Sequence, residues 1–127
     1  EVKVIGVQAE KAPAVYLSWK NKKFIETQSA ETFAEGLATR VPFRLTLDII
    51  NKLIDDIVLV SEEEMKKAIL TLLETTHQLA EGAGAASTAA AFKLRKKLQG
   101  KKVVLVLTGG NLTLQNLQSI LKDSNVA

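Results

Sequence analysis

Three short apolar runs, separated by longer stretches with helical periodicity, constrain the fold of this chain most strongly. The runs are residues 2–7, 57–60 and 103–107, and they consist mainly of Val, Ile and Leu. Such runs are typical of strands that are buried on both faces of a parallel sheet. Because helical stretches separate the strands, the connections must cross over, and such crossovers are right-handed. The sequence therefore predicts an α/β fold, a three-layer sandwich with a short parallel sheet of about three strands flanked by helices.

Apolar periodicity and capping residues predict the helices between these runs. Ser61 and Glu64 have the spacing of a capping box and open a long helix. Asn111 follows two glycines and can cap the last helix. The other predictions are a short helix within residues 9–28 and helices over residues 29–39, 45–53, 85–98 and 112–121.

The composition predicts one globular domain over residues 1–127. The chain is 46% hydrophobic and 24% charged, which is enough apolar residue content for a core. It has no cysteine and one histidine, and this excludes a disulfide framework, a thiolate zinc site and a His-rich metal site.

The distribution of apolar and charged residues limits the partners. No apolar stretch approaches the roughly 20 residues of a membrane helix, and the first residues lack a signal-peptide pattern. We therefore expect a cytoplasmic protein without a membrane partner. The net charge is +3 and comes mostly from the basic residues between positions 93 and 102. We interpret these as a solvated helix end and expect no nucleic-acid partner.

The end of the third apolar run has the features of a pocket wall. Thr108, Gly109, Gly110 and Asn111 follow the run directly. Ligands of parallel α/β sheets sit at the carboxyl ends of strands, and glycines there let a ligand or another backbone approach closely. An ordinary strand-to-helix connection would have the same residues, so this pattern leaves both interpretations open.

A single carboxylate stands in a stretch of small residues. Glu81 is surrounded by the alanines and glycines of residues 80–86. Burying an unpaired carboxylate among apolar residues would cost free energy. We therefore expect Glu81 to accept hydrogen bonds from backbone amides or to face a positive group of a ligand.

Five motifs in order carry a resemblance to a known family. They are residues 4–7 (VIGV), 34–38 (AEGLA), 55–57 (DDI), 80–85 (AEGAGA) and 107–111 (LTGGN). Together they resemble the C-terminal part of the catalytic domain of the threonine dehydratase (threonine ammonia-lyase) family. These enzymes are related to serine racemase among the fold-type II pyridoxal-phosphate enzymes. The resemblance spans essentially the whole chain and implies part of the large α/β domain of such an enzyme.

The resemblance also implies a cofactor, a substrate class and cofactor-binding residues. The cofactor would be pyridoxal 5'-phosphate, and the substrate L-threonine or L-serine, which β-elimination converts to a 2-keto acid and ammonia. Thr108 would hydrogen-bond the pyridine nitrogen next to Gly109 and Gly110. Gly36 would lie beside the cofactor ring and Glu81 near its polar edge. Packing of Gly36 in the middle of a helix is the alternative for that residue.

The chain departs from the family pattern in two respects. Many members have a divalent cation site with carboxylates at positions that correspond to Gln8 and Ala14, so we predict no metal site here, although Glu10 could substitute. The family's Schiff-base lysine motif, its substrate loop and its glycine-rich phosphate loop do not occur in this sequence. We therefore predict no catalytic residue, no covalent attachment of the cofactor and no activity for this chain alone.

Three interpretations follow from these departures. The chain is a segment of a β-eliminating enzyme, a noncatalytic scaffold or binding module, or one half of a split enzyme. The first predicts an exposed sheet edge and hence homodimer formation. The third predicts a complementing N-terminal half that brings the lysine and the phosphate loop.

Overall fold

The structure is a computed structural model that describes residues 2–123. Contacts between residues divide the chain into two compact units, Glu1–Ser61 and Glu62–Ala127. The expectation of one domain over the whole chain stays a prediction. No helix within residues 2–123 is long and apolar enough to cross a membrane.

The first unit contains a parallel pair of strands. Strands β1 (Ile5–Ala9) and β2 (Asp56–Val60) pair in register, with Ile5 opposite Asp56 and Ala9 opposite Val60. The backbone N–H of Glu10 continues the pairing by donating to the Val60 carbonyl at 2.9 Å. This pair confirms the predicted α/β class with a parallel sheet.

Two helices of the first unit lie where the sequence predicts them. Helix α1 (Ala14–Asn21) begins after Pro13, and Lys22 ends it in a left-handed conformation with φ of 50°. Helix α2 (Arg44–Leu53) begins two residues after Pro42 and contacts α1. Proline sets the start of each helix, because it disfavours helical geometry in the residue before it.

The helix predicted over residues 29–39 is wrong. The structure has only a short 3-10 turn there, Glu35–Leu37. The hydroxyl of Thr32 accepts a hydrogen bond from the N–H of Ala34 at 3.1 Å, and Gly36 follows. Such side-chain bonds compete with helical hydrogen bonds, and glycine disfavours a helix by about 1 kcal/mol relative to alanine.

The second unit is a helical assembly. Helices α3 (Glu62–Thr76) and α4 (Gly82–Lys93) pack together, and Met65, Ile69 and Ala85 are fully buried. The alanines of α4 allow this close approach. Helix α3 begins directly after Ser61, as predicted.

The remaining helices differ from the predictions in their ends. The helix predicted over residues 85–98 begins earlier and breaks at Leu94, so α4 is followed by the separate helix α5 (Arg95–Leu98). Helix α6 (Leu114–Asp123) is capped by Thr113, whose hydroxyl accepts the N–H of Asn116 at 3.1 Å. The prediction that Asn111 caps this helix is wrong, because the helix begins three residues after it.

The third predicted strand does not form in the structure. Residues 103–107 are exposed, and none of their backbone groups pairs with the backbone elsewhere in residues 2–123. A strand exists only when a neighbour accepts and donates its ladder hydrogen bonds. The sheet of the described residues therefore has two strands instead of about three.

Candidate functional site

The candidate site of the second unit lies where the first turn of α4 meets residues 108–111. Glu81 is the N-cap residue of α4. Its backbone N–H donates to the Gly109 carbonyl at 3.4 Å, and its carboxylate Oε2 accepts the N–H of Asn111 at 3.0 Å. As expected from the sequence, the Glu81 carboxylate binds a backbone amide. These two bonds hold the loop after Thr108 against the start of the helix.

Glycines make this close approach possible. A Cβ atom on Gly84 would overlap the carbonyl oxygen of Thr108 and lie 2.7 Å from that of Gly109. Gly109 itself has φ of +80°, and a Cβ there would collide with the carboxylate of Glu81. A Cβ on Gly110 would lie 3.0 Å from the Leu79 carbonyl oxygen. Gly84 and Gly110 therefore allow two backbones to approach closely, which is one of the two uses that the sequence predicts for glycines here, and Gly109 leaves room for the Glu81 carboxylate.

The side chain of Thr108 is presented to the outside of the second unit. Thr108 is exposed, and its hydroxyl makes no hydrogen bond to any residue of the described range 2–123. Two residues earlier, the carbonyl of Val106 accepts the hydroxyl of Ser87 in α4 at 2.8 Å. The backbone on both sides of Thr108 is thus fixed to α4, while its side chain is exposed.

Sequence reasoning missed two residues that build this site. Gly84 and Ser87 both lie on the face of α4 that contacts residues 106–109. Gly84 belongs to the motif of residues 80–85, and its place between Ala83 and Ala85 was an available signal of close packing. Nothing in the sequence singles out Ser87.

Gly36 belongs to the first unit, and the other four predicted site residues belong to the second unit. It is exposed in the 3-10 turn Glu35–Leu37. The alternative of packing within a helix is wrong, because no α-helix forms there. Its predicted position beside a cofactor ring stays a prediction.

Five basic residues of the second unit line an open cavity of about 720 Å³ between α3, α4 and α5. Among the described residues that line it, Glu64 is the one carboxylate, and it pairs with the Lys93 ammonium at 3.1 Å. The cavity includes none of the predicted site residues. Its lining cations are Lys67, Lys93, Arg95, Lys96 and Lys97.

The chain is similar to curated threonine-degrading enzymes along nearly its whole length. It is 40% identical over 126 residues to an L-threonine ammonia-lyase of Thermotoga maritima, a match that covers 99% of this chain and 31% of the relative. It is 35% identical over 121 residues to a catabolic L-threonine dehydratase of Escherichia coli, with 94% of this chain and 37% of that enzyme covered. The chain thus spans about a third of the length of these relatives.

Solved structures of similar fold agree with this relationship. The processed threonine deaminase isoform 2 of Solanum lycopersicum superposes with a TM-score of 0.89 at 25% identity, covering 98% of this chain and 37% of the enzyme. Maize serine racemase superposes with a TM-score of 0.83 at 26% identity, covering 96% of this chain and 40% of the enzyme. The family model described as pyridoxal-phosphate dependent enzyme matches residues 1–109, most of the sequence. The chain therefore belongs to the family of pyridoxal-phosphate dependent enzymes.

Proposed function

We propose that this chain is part of the catalytic domain of a fold-type II threonine or serine dehydratase. The reaction would be the β-elimination of L-threonine or L-serine to a 2-keto acid and ammonia. The observation that carries the proposal is the Thr108 hydroxyl, which has no partner within residues 2–123 and stands on a loop that α4 holds in place. Similarity to L-threonine ammonia-lyase over 99% of the chain supports the choice of reaction.

The residues of the site fit the pyridine end of pyridoxal phosphate. When bound, the cofactor supplies the electron sink for the elimination. Thr108 would donate its hydroxyl hydrogen to the ring nitrogen, and a neutral hydroxyl there leaves that nitrogen largely unprotonated. Gly109 and Gly110 present no side chain beside this contact.

Glu81 has a positioning role in this proposal. Its carboxylate accepts the N–H of Asn111 and so fixes the loop that carries Thr108. The same carboxylate has a second oxygen, which would line the polar edge of the cofactor site. The position of Gly36 beside the cofactor ring stays a prediction.

Substitutions of Thr108 test the proposal in the intact protein, by which we mean the complete enzyme of which this chain is proposed to be a part. With pyridoxal phosphate added, formation of 2-keto acid from threonine and from serine would be measured for the wild type, Thr108→Ser and Thr108→Val. We expect Thr108→Ser to stay within a few fold of the wild type. Thr108→Val should lose about tenfold in kcat/KM, because it loses one hydrogen bond of roughly 1.5 kcal/mol.

Two results would contradict different parts of the proposal. A wild-type protein that binds the cofactor, as followed by its visible absorbance, but forms no 2-keto acid from either amino acid would exclude the dehydratase reaction. An active protein in which Thr108→Val equals the wild type would exclude the role of Thr108. We also propose that an isolated polypeptide of residues 1–127 forms no imine with the cofactor, since the family's lysine motif and phosphate loop do not occur in it.

Residues 103–107 are proposed to pair with a strand from a complementing N-terminal half. They are apolar and exposed, with Val104 91% exposed, and the chain spans only about a third of the length of its relatives. In the intact protein we expect their backbone amides to be protected from hydrogen exchange, and rapid exchange would contradict the pairing. Homodimer formation and a cytoplasmic location stay predictions.

A further inference from the structure

A buried glutamine joins the end of β1 to the start of α1. Gln8 is only 6% exposed, and its side-chain oxygen Oε1 accepts the backbone N–H of Tyr16 at 2.8 Å. The first N–H groups of a helix have no partner within the helix. The N-cap residue of α1 is Pro13, which makes no side-chain capping bond. Gln8 therefore caps this helix from eight residues away.

The segment that joins β1 to α1 contains small buried residues. Ala9, Ala12 and Ala14 are all fully buried. The turn between strand and helix is closed by the N–H of Ala12, which donates to the Ala9 carbonyl at 3.0 Å. Ala14 stands at the start of α1 and offers only a methyl group where a carboxylate would provide two oxygens.

This donor set does not fit the divalent cation site that the family resemblance implies at these positions. Calcium takes six to eight oxygen ligands and favours carboxylates, and magnesium requires a near-octahedral set of oxygens. Gln8 supplies one neutral oxygen that already accepts a hydrogen bond, Ala14 supplies none, and Glu10 leaves a single carboxylate among residues 8–14. Within residues 2–123, no group of three or more His, Cys, Asp or Glu could hold a metal ion.

We propose that the Gln8 amide stabilises the junction of β1 and α1 in place of the family's cation. This junction therefore forms without a divalent metal. The amide oxygen binds the first turn of α1 directly. Because the amide is neutral, its burial needs no counter-charge. This inference concerns the junction alone and is independent of the reaction proposed above.

Thermal unfolding of the intact protein tests the independence from metal. The melting temperature of the wild type should be the same in EDTA and in millimolar Ca²⁺ or Mg²⁺, at matched ionic strength. The variant carrying both Gln8→Glu and Ala14→Asp restores the two carboxylates and serves as the positive control. Its melting temperature should rise by several degrees when Ca²⁺ is added, since a ligand that binds only the folded state stabilises it. A wild type that gains as much as this variant would overturn the proposal.

Hydrogen exchange at one amide tests the role of Gln8 itself. Gln8→Met keeps the approximate size of the side chain and removes the acceptor. It should speed exchange of the Tyr16 amide at least tenfold and lower the melting temperature by about 2–8 °C. Gln8→Glu keeps an acceptor oxygen, so the Tyr16 amide should exchange as slowly in this variant as in the wild type. Unchanged exchange at Tyr16 in Gln8→Met would refute the capping role even if the variant were less stable.

Discussion

Replacing Gly84 with alanine isolates the contact between α4 and the Thr108 loop. The new Cβ would overlap the Thr108 carbonyl oxygen and lie 2.7 Å from that of Gly109, whereas ordinary contact begins at 3.4 Å. Both neighbours are backbone atoms, so no rotamer change can relieve the overlap. The loop must retreat from α4 by more than the roughly 0.7 Å that the Gly109 contact alone requires, because the overlap with Thr108 is larger. Overpacking of this kind costs about 3 kcal/mol. Alanine favours the helix by about 1 kcal/mol over glycine, which leaves a net loss of about 2 kcal/mol.

Urea unfolding of the intact protein measures this loss. With an unchanged slope, the midpoint of Gly84→Ala should fall by about 1 M. The reverse substitution in the same turn, Ala83→Gly, is the matched control, and it should lose only about 1 kcal/mol, from helix propensity. If propensity alone governed this turn, Gly84→Ala would raise the midpoint. An unchanged or higher midpoint for that variant would therefore refute the close contact between the two backbones.

Three further predictions concern other contacts. Gly109→Ala should destabilise the protein more than Gly100→Ala in urea unfolding, because both glycines have positive φ but only the first Cβ would collide with the α4 N-cap carboxylate. Ser18→Ala should cost about 1–3 kcal/mol by the same assay, because its fully buried hydroxyl accepts the N–H of Ile25 and shares its one hydrogen between the carbonyls of Ala14 and Ile25. The hydrogen bond to Asp123 raises the pKa of Lys66, so the pair stabilises the fold by at most about 1 kcal/mol below the ordinary lysine pKa. That stabilisation is lost as pH rises through the elevated pKa, and Lys66→Met should abolish the dependence in pH-resolved melting curves.

Local signals in the sequence predicted the elements that depend on local chemistry. Apolar periodicity predicted α2, and Ser61, which directly precedes α3, predicted the start of that helix. The helix predicted over residues 29–39 does not form, because the hydrogen bond that Thr32 accepts from Ala34 competes with the helical hydrogen bonds over the same few residues. Apolar content alone does not reveal which of the two local structures is more stable.

The sequence by itself determined the family, the α/β class and the residues of the Thr108 loop, because these depend on residue types in a fixed order. Only the tertiary structure decided what those residues contact. Glu81 binds the amide of Asn111, thirty residues away, and Gly84 faces the backbone of residues 108–109. It also decided that residues 103–107 form no strand among the described residues, because a strand requires hydrogen-bond partners that the apolar run cannot supply for itself.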